Sequence, residues 1–477
     1  LLFYAKGASA NIKLSGGTLN ATIKGGSTPS TRGTAFYYEG TGNTFNKTAI
    51  ENYFKTTFGD GLGNSTLGNL NLNMEAGSRL FIAQNVKMDL TDTTASGFSA
   101  STGAHITDNG MKSFMLYLSE LSINNHVNLD NASDPYNQLE ISNSKITNEN
   151  TKTITGTKAD QVAMAQENNS SLYTRDKVRL TNKGSINLSG TGSTGMYTKF
   201  GEIINDTTGQ MQLGDNSTAM YGTYDSQLTN KGNITIGSSS TGMYSEGSTT
   251  NAGFIKNDIA GIIKAVGSDS VAISYKPDVT LAAGTILENA GNIKMTGDRN
   301  TAIYATGTPA YTAKNSGTIT LGDSASMKNP NVSIYTDSKN VTMENTGSII
   351  SGNNTIGMYG YKAQNSGNIT VGNSGIGIYS QNGDVNLTGG NITVGNDEAV
   401  AVYTAGTGQT ITNSGTTLNI GDNSIGIVNV GAGNTIVSTN TVPTVNLGNK
   451  AIYIYNNKAS TVVNDTNLTS TGNENYG

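Results

Sequence analysis

The side chains able to run acid–base or metal chemistry are few and scattered. Arginine occurs only at Arg32, Arg79, Arg175, Arg179 and Arg299, and histidine only at His105 and His126. No histidine pair has metal-ligand spacing, and cysteine is absent, which excludes thiolate zinc centres and disulfide frameworks. No Gly-x-Ser-x-Gly turn with a supporting histidine is present, so an acyl-transfer triad has no basis. Glycoside hydrolysis needs two carboxylates about 5–9.5 Å apart. By residue type the candidates are Asp298 and the adjacent Asp397-Glu398. Neighbours on a strand point to opposite faces, and equivalent positions elsewhere are Ser, Asn or Thr, so these carboxylates read as solvated corner charges. His105 and His126 read as ordinary polar loop or edge residues.

Aromatic rings form the second set, because flat rings stack on sugar faces. Tyr53, Phe54, Lys55 and Phe58 lie together in a stretch that occurs once, and they are the candidate receptor-binding residues. Their plainer role is to fasten a short helix onto the underlying structure. A different tyrosine recurs throughout the chain, and its recurrence predicts an internal or edge ladder rather than many sugar sites.

That recurrence shows which elements must position everything else. Asn182-Lys183-Gly184-Ser185-Ile186-Asn187-Leu188 leads to Gly195-Met196-Tyr197, and Asn230-Lys231-Gly232-Asn233-Ile234-Thr235-Ile236 leads to Gly242-Met243-Tyr244. Asn345-Thr346-Gly347-Ser348-Ile349-Ile350 leads to Gly357-Met358-Tyr359, and Asn365-Ser366-Gly367-Asn368-Ile369-Thr370-Val371 to Gly377-Ile378-Tyr379. A degenerate repeat of about 20 to 31 residues with glycine punctuation means a solenoid. Ile369 and Val371 face one way and Thr370 the other, the alternation of a half-buried strand. Short parallel strands joined at Gly, Asn and Asp corners predict an all-β right-handed parallel β-helix with corner insertions, some of them short and helical. The register is followed through Tyr4, Tyr37, Phe81, Tyr117, Tyr173, Tyr197, Tyr221, Tyr244, Tyr275, Tyr304, Tyr335, Tyr359, Tyr379 and Tyr403, then an aliphatic at Val428 and Tyr453. Asp215-Asn216, Asp298, Asp323-Ser324, Asn353-Asn354, Asn373-Ser374 and Asp422-Asn423 fall at one corner, where Asn and Asp tolerate left-handed backbone and can form ladders.

Regular coils are expected over 177–477 and irregular ones over 1–176, with insertions at 41–66, 89–115 and 128–170. Ile50, Tyr53, Phe54 and Phe58 have helical spacing, and Lys158–Glu167 reads as a second short helix. Composition agrees with many short strands and turns: 60 glycines and only 13 % charged residues. The net charge of −5 and the lack of basic runs argue against a nucleic-acid partner. Absence of cysteine fits export, and no apolar run approaches the roughly 18 residues that span a bilayer. The opening Leu2-Phe3-Tyr4 reads as the end of a preceding coil, so the sequence reads as an internal piece of a longer protein.

The repeat Asn-x-Gly-x-Ile-x-Leu/Val/Ile running on to Gly-Met/Ile-Tyr resembles the passenger domains of the large monomeric (type V) autotransporter adhesins of fusobacteria. Leu70–Ile82 and Asn168–Tyr173 share the likeness, which spans nearly the whole chain. Members include the arginine-inhibitable, RadD-like coaggregation adhesins and a galactose-binding relative that engages an immune receptor. The resemblance implies a non-enzymatic, surface-exposed adhesin with no cofactor. Its implied partners are a host cell-surface receptor or galactose-type glycan, or a surface protein of partner bacteria. It also implies a C-terminal outer-membrane barrel, outside this sequence, that anchors the passenger. The competing readings are a polysaccharide-degrading or tailspike-type β-helix enzyme, which would need clustered carboxylates on adjacent coils, and a purely structural stalk.

Overall fold

The computed structural model describes residues 2–6, 18–26, 31–45, 70–90, 105–168, 178–224, 226–247, 254–277, 286–438 and 444–476. These residues are strand and turn, apart from a 3₁₀ turn at Pro135–Gln138 and a single 3₁₀ residue at Leu90. The chain divides into two compact units, Leu1–Leu188 with Met196–Glu202, and Ser189–Gly195 with Ile203–Gly477.

In the second unit one coil is made of an opening strand, Val341–Asn345, a middle strand, Ser348–Ser351, and a tyrosine strand, Thr355–Gly360. The following coil repeats this as Lys362–Asn365, Asn368–Val371 and Ile376–Ser380. Each strand pairs in parallel with its counterpart one coil on, so three parallel sheets enclose one core. This is a parallel β-helix, as the repeat predicts. Ile263, Ile293, Ile319, Ile349, Ile369 and Ile392 stack in register along the middle sheet, all at most 1 % exposed. Burial of each such side chain contributes about 1.5–3 kcal/mol.

From Glu202–Asn205 to Lys362–Asn365, the residue that closes each opening strand is a buried asparagine. Nδ2 of Asn205 donates to Oδ1 of Asn230 at 2.8 Å, Asn230 to Asn257 at 2.8 Å, and Asn257 to Asn289 at 2.7 Å. Asn289 donates to Asn315, Asn315 to Asn345 and Asn345 to Asn365, each at 2.8 Å. All are at most 1 % exposed. The other Nδ2 hydrogen reaches a backbone carbonyl of the adjoining turn, as from Asn365 to Gly367 at 3.0 Å. The turn glycine has no room for a side chain: a Cβ on Gly347 would lie 2.1 Å from the Gly317 carbonyl oxygen. The Asn-x-Gly motif is therefore one device, an amide ladder and the tight turn beneath it.

From Asp323 to Asp422 the corner before each tyrosine strand carries the expected Asn/Asp ladder, on the solvent side. Oδ1 of Asp323 accepts from the Asn353 amide and Asn353 from the Asn373 amide, both at 2.8 Å. Asn373 accepts from Asn396 at 2.9 Å and Asn396 from Asp422 at 2.8 Å. The next residue is left-handed, with φ of 53° at Asn354, 54° at Ser374 and 54° at Asn423.

Several expectations are corrected. Asp397 and Glu398 are not strand neighbours on opposite faces; both are left-handed corner residues, at φ 56° and 65°. Tyr275 is not a ladder tyrosine: Ser274 occupies that register position and Tyr275, one residue on, is 1 % exposed. Likewise Tyr455, not Tyr453, follows Val428, and Tyr453 is in the core.

In the first unit Phe3–Lys6, Thr34–Thr44, Arg79–Asp89, Lys112–Tyr117 and Leu139–Ser142 pair in parallel. Phe3, Phe36 and Phe81 form an inward row with ring centroids 5.4 Å apart. Phe81 therefore belongs to this inner row, and Tyr117 pairs with Gln84; neither continues the row of Tyr4 and Tyr37. A separate parallel sheet joins Leu19–Ile23, Leu70–Met74 and His105–Asp108.

Lys158–Glu167 is not a helix. Asp130 accepts from the Thr157 amide at 3.1 Å, the Thr157 hydroxyl at 2.7 Å and Gln161 Nε2 at 2.9 Å. Those bonds hold its carboxyl down at about 2. Asp160 is left-handed at φ 58°, which breaks any helix, and Val162–Glu167 is a strand. Nor is 128–168 a loop insertion, since Lys145–Asn148 and Thr153–Gly156 lie in register with neighbouring coils. The proposed helix around Ile50–Phe58 lies outside the described residues.

Replacing Asn289 by Ala strands an acceptor on Asn315 and a donor on Asn257. Urea unfolding is expected to show a loss of about 2–4 kcal/mol. Asn353→Ala, at the exposed corner, is expected to cost less than about 1 kcal/mol. Equal costs would refute the primacy of the buried ladder.

Candidate binding face

The sequence-predicted receptor residues Tyr53, Phe54, Lys55 and Phe58 lie outside the described residues. His105 sits exposed on the small three-stranded sheet opposite Asn71, and His126 is exposed in a turn. Asp298 Oδ1 accepts from the Ala325 amide at 2.8 Å, a corner role. Asp397 Oδ1 accepts from Asn423 at 3.2 Å. These carboxylates are not brought together, and the described residues hold no group of three or more His, Cys, Asp or Glu able to bind a metal ion.

What the second unit does assemble is an outward tyrosine row. Tyr304, Tyr335, Tyr359, Tyr379 and Tyr403 are register partners on successive tyrosine strands. They are half-buried, not internal. The preceding residue (Ile334, Met358, Ile378, Val402) takes the core side of each strand. A small residue before that is forced by crowding. A Cβ on Gly357 would approach the Gly377 oxygen to 2.5 Å.

Ring centroids are 5.4 Å apart for Tyr304–Tyr335 and 4.8 Å for both Tyr359–Tyr379 and Tyr379–Tyr403, all stacked. Stacked rings cover one another's faces and present edges and hydroxyls outward. The row is thus an apolar ridge tipped with phenols rather than a series of open platforms for sugars. Four of the hydroxyls are tied down: Tyr221 and Tyr244 donate to the two oxygens of Glu246, both at 2.7 Å. Tyr304 donates to Asp337 at 2.9 Å, and Gln381 donates to the Tyr359 hydroxyl at 2.7 Å.

Within the run from Tyr304 to Tyr403 the stacking opens at one place. Tyr335 and Tyr359 are tilted by 53° at a centroid distance of 5.3 Å. Here the connection before strand Asn331–Thr336 is lengthened, and Met327, Lys328 and Pro330 border a surface cavity of about 520 Å³. Val332, Ile356 and Ile376, with the rings of Tyr335, Tyr359 and Tyr379, form its other wall. The wall is apolar, with phenol hydroxyls and one lysine at the edge. Reasoning from sequence located the tyrosines but not this groove. The signal was the extra length between Leu321 and Asn331, compared with Val371 to Ile376 in a regular coil.

Coils of this kind define a pectate lyase-like parallel β-helix. A family model described as the BigA third pectate lyase-like domain matches residues 9–259, more than half of the 477. The chain belongs to that family, and is accordingly a β-helical domain of a surface-exposed, adhesin-like bacterial protein. No curated protein matches the sequence significantly.

Burial raises the pKa of Tyr244, Tyr304, Tyr335 and Tyr379 above the ordinary 10.0, and the carboxylates of Glu246 and Asp337 add to it at Tyr244 and Tyr304. The folded state therefore binds these protons more tightly than the unfolded chain. Their contribution is complete below pH 10 and falls as pH rises further. Urea midpoints are expected to be flat with respect to the tyrosines up to that point and to drop beyond it. Tyr244→Phe should lessen the drop.

Proposed function

We propose that this chain is a non-enzymatic adhesive passenger of an autotransporter, which attaches its cell to host cells or to partner bacteria. In this reading the tyrosine face of the second unit, with the groove beside Met327–Pro330, docks a receptor protein or a galactose-type glycan. The barrel that anchors the passenger in the outer membrane lies elsewhere in the protein. The observation that carries the proposal is the groove itself. It is lined by aliphatic side chains and by Tyr335, Tyr359 and Tyr379, a residue type enriched among interface anchors, where the Tyr304–Tyr403 stack opens. Membership in a family of surface-exposed β-helices supports the setting. The dispersed carboxylates favour binding over polysaccharide cleavage.

The test is binding of the purified 477-residue chain to host cells and partner bacteria, with galactose and arginine as competitors. The double variant Tyr335→Ser, Tyr359→Ser is expected to weaken binding by about tenfold or more, on the scale of interface anchor residues. Binding unchanged in a folded double variant would move the receptor site away from this face. Depolymerisation of an acidic polysaccharide by the purified chain would overturn the non-enzymatic reading.

A further inference from the structure

The first unit contains a charge imbalance that the adhesive face does not use. Thr34, Arg79 and Lys112 follow one another in register at the start of three adjacent strands, about 4.8 Å apart. Arg79 is 3 % exposed. It pairs with Glu140, and Arg32 pairs with the same carboxylate. Lys112 Nζ donates to the neutral backbone oxygen of Asn137 at 2.7 Å. Among the described residues these three cations share one carboxylate, in a largely covered place.

Two atoms of the cluster are buried without a hydrogen bond: the donor Nη2 of Arg79 and the acceptor Oε1 of Glu140. A buried N–H on a charged group without a partner costs about 1–3 kcal/mol or more. Burial first, and the Arg32 charge second, depress the pKa of both Arg79 and Lys112. Glu140, besides holding the two guanidinium groups, lines an outer cavity of about 490 Å³ with Met115, Ile141, Tyr197 and a second carboxylate, Glu167.

We propose that Arg32, Arg79 and Lys112 form a binding site for a sulfate-sized oxyanion. The free Nη2 of Arg79 and the Lys112 ammonium are its principal donors, Arg32 closes the site, and Glu140 sets the affinity by neutralising one of the three positive charges. A guanidinium and an ammonium from register partners on neighbouring strands suit a multi-oxygen anion, and the excess of cations over carboxylates among the described residues suits its charge. The oxyanion is either a free ion or the charged substituent of a sugar.

The test is calorimetric titration of the 477-residue chain with inorganic sulfate, at ionic strength held constant with chloride, alongside thermal unfolding. Saturable binding and a rise in melting temperature are expected. Lys112→Gln, which gives up only a contact to a neutral oxygen, is expected to weaken binding about tenfold or more, the scale of one charge-assisted hydrogen bond. Arg79→Gln is expected to abolish it. Because that variant removes a buried ion pair and can unfold, Lys112→Gln is the deciding one. Lack of saturable sulfate binding, or equal affinity in folded Lys112→Gln, overturns the proposal. A second titration compares a sulfated monosaccharide with its unsulfated parent. Tighter binding than inorganic sulfate supports a sugar-borne ligand, and equal or weaker binding supports a free ion at the same site.

Discussion

The buried asparagine column is the constraint around which the second unit is organised. Carboxamides from Asn205 to Asn365 sit in the core, and each is satisfied only if the next coil places its own amide within 2.7–2.8 Å. Hydrophobic stacking alone is tolerant, because an isoleucine slides over its neighbour at little cost. A carboxamide in a low-dielectric interior is not tolerant, since every misplaced bond leaves a polar group unpaired. The ladder therefore fixes coil register as the aliphatic rows cannot. Coil length varies between its rungs, from 20 residues for Asn345 to Asn365 to 32 for Asn257 to Asn289. The rung is held constant while connections at the corners absorb the difference.

From that rung outward, each part of the coil inherits its place. The opening strand ends on the amide, the crowded turn after it admits glycine, and the middle strand begins in register. The corner ladder repeats the logic on the solvent side with backbone amides as donors. The outward tyrosines are then stacked by default, because register partners about one strand spacing apart have nowhere else to put their rings. The groove arises where one corner is lengthened and the stack yields by 53°. Adhesive potential is thus a departure from regularity that the rigid register makes possible.

Much of this was legible in the sequence. Alternation of Ile369, Thr370 and Val371 dictates a half-buried strand, and Asn or Asp before Gly or Ser marks the corner. The errors have specific causes. Lys158–Glu167 has helix-forming composition, but the Asp130 carboxylate, distant in sequence, captures the turn and Asp160 goes left-handed. Tyr275 and Tyr453 were assigned by type. A shift of one residue in Ala272-Ile273-Ser274-Tyr275, and of two at Tyr453, puts the ring inside, and only pairing register reveals it. The asparagine of Asn-x-Gly was seen as punctuation because a polar residue next to a turn is ordinarily solvated. Its burial depends on the neighbouring coils. The Arg79 cluster joins residues from 32 to 140, and no local motif foreshadows it.

The amide column also has a direction. Every rung from Asn205 to Asn345 gives its hydrogen toward the later coil, and every rung from Asn230 to Asn365 offers its oxygen to the earlier one. An aliphatic stack reads the same from both ends, whereas this column does not. Cut between any two rungs, it shows Nδ2 donors on one surface and Oδ1 acceptors on the other. Two identical cut surfaces meeting face to face would set donor against donor or acceptor against acceptor. Coils can extend the column only with the same polarity, so the core itself discriminates head-to-tail growth from head-to-head or tail-to-tail association.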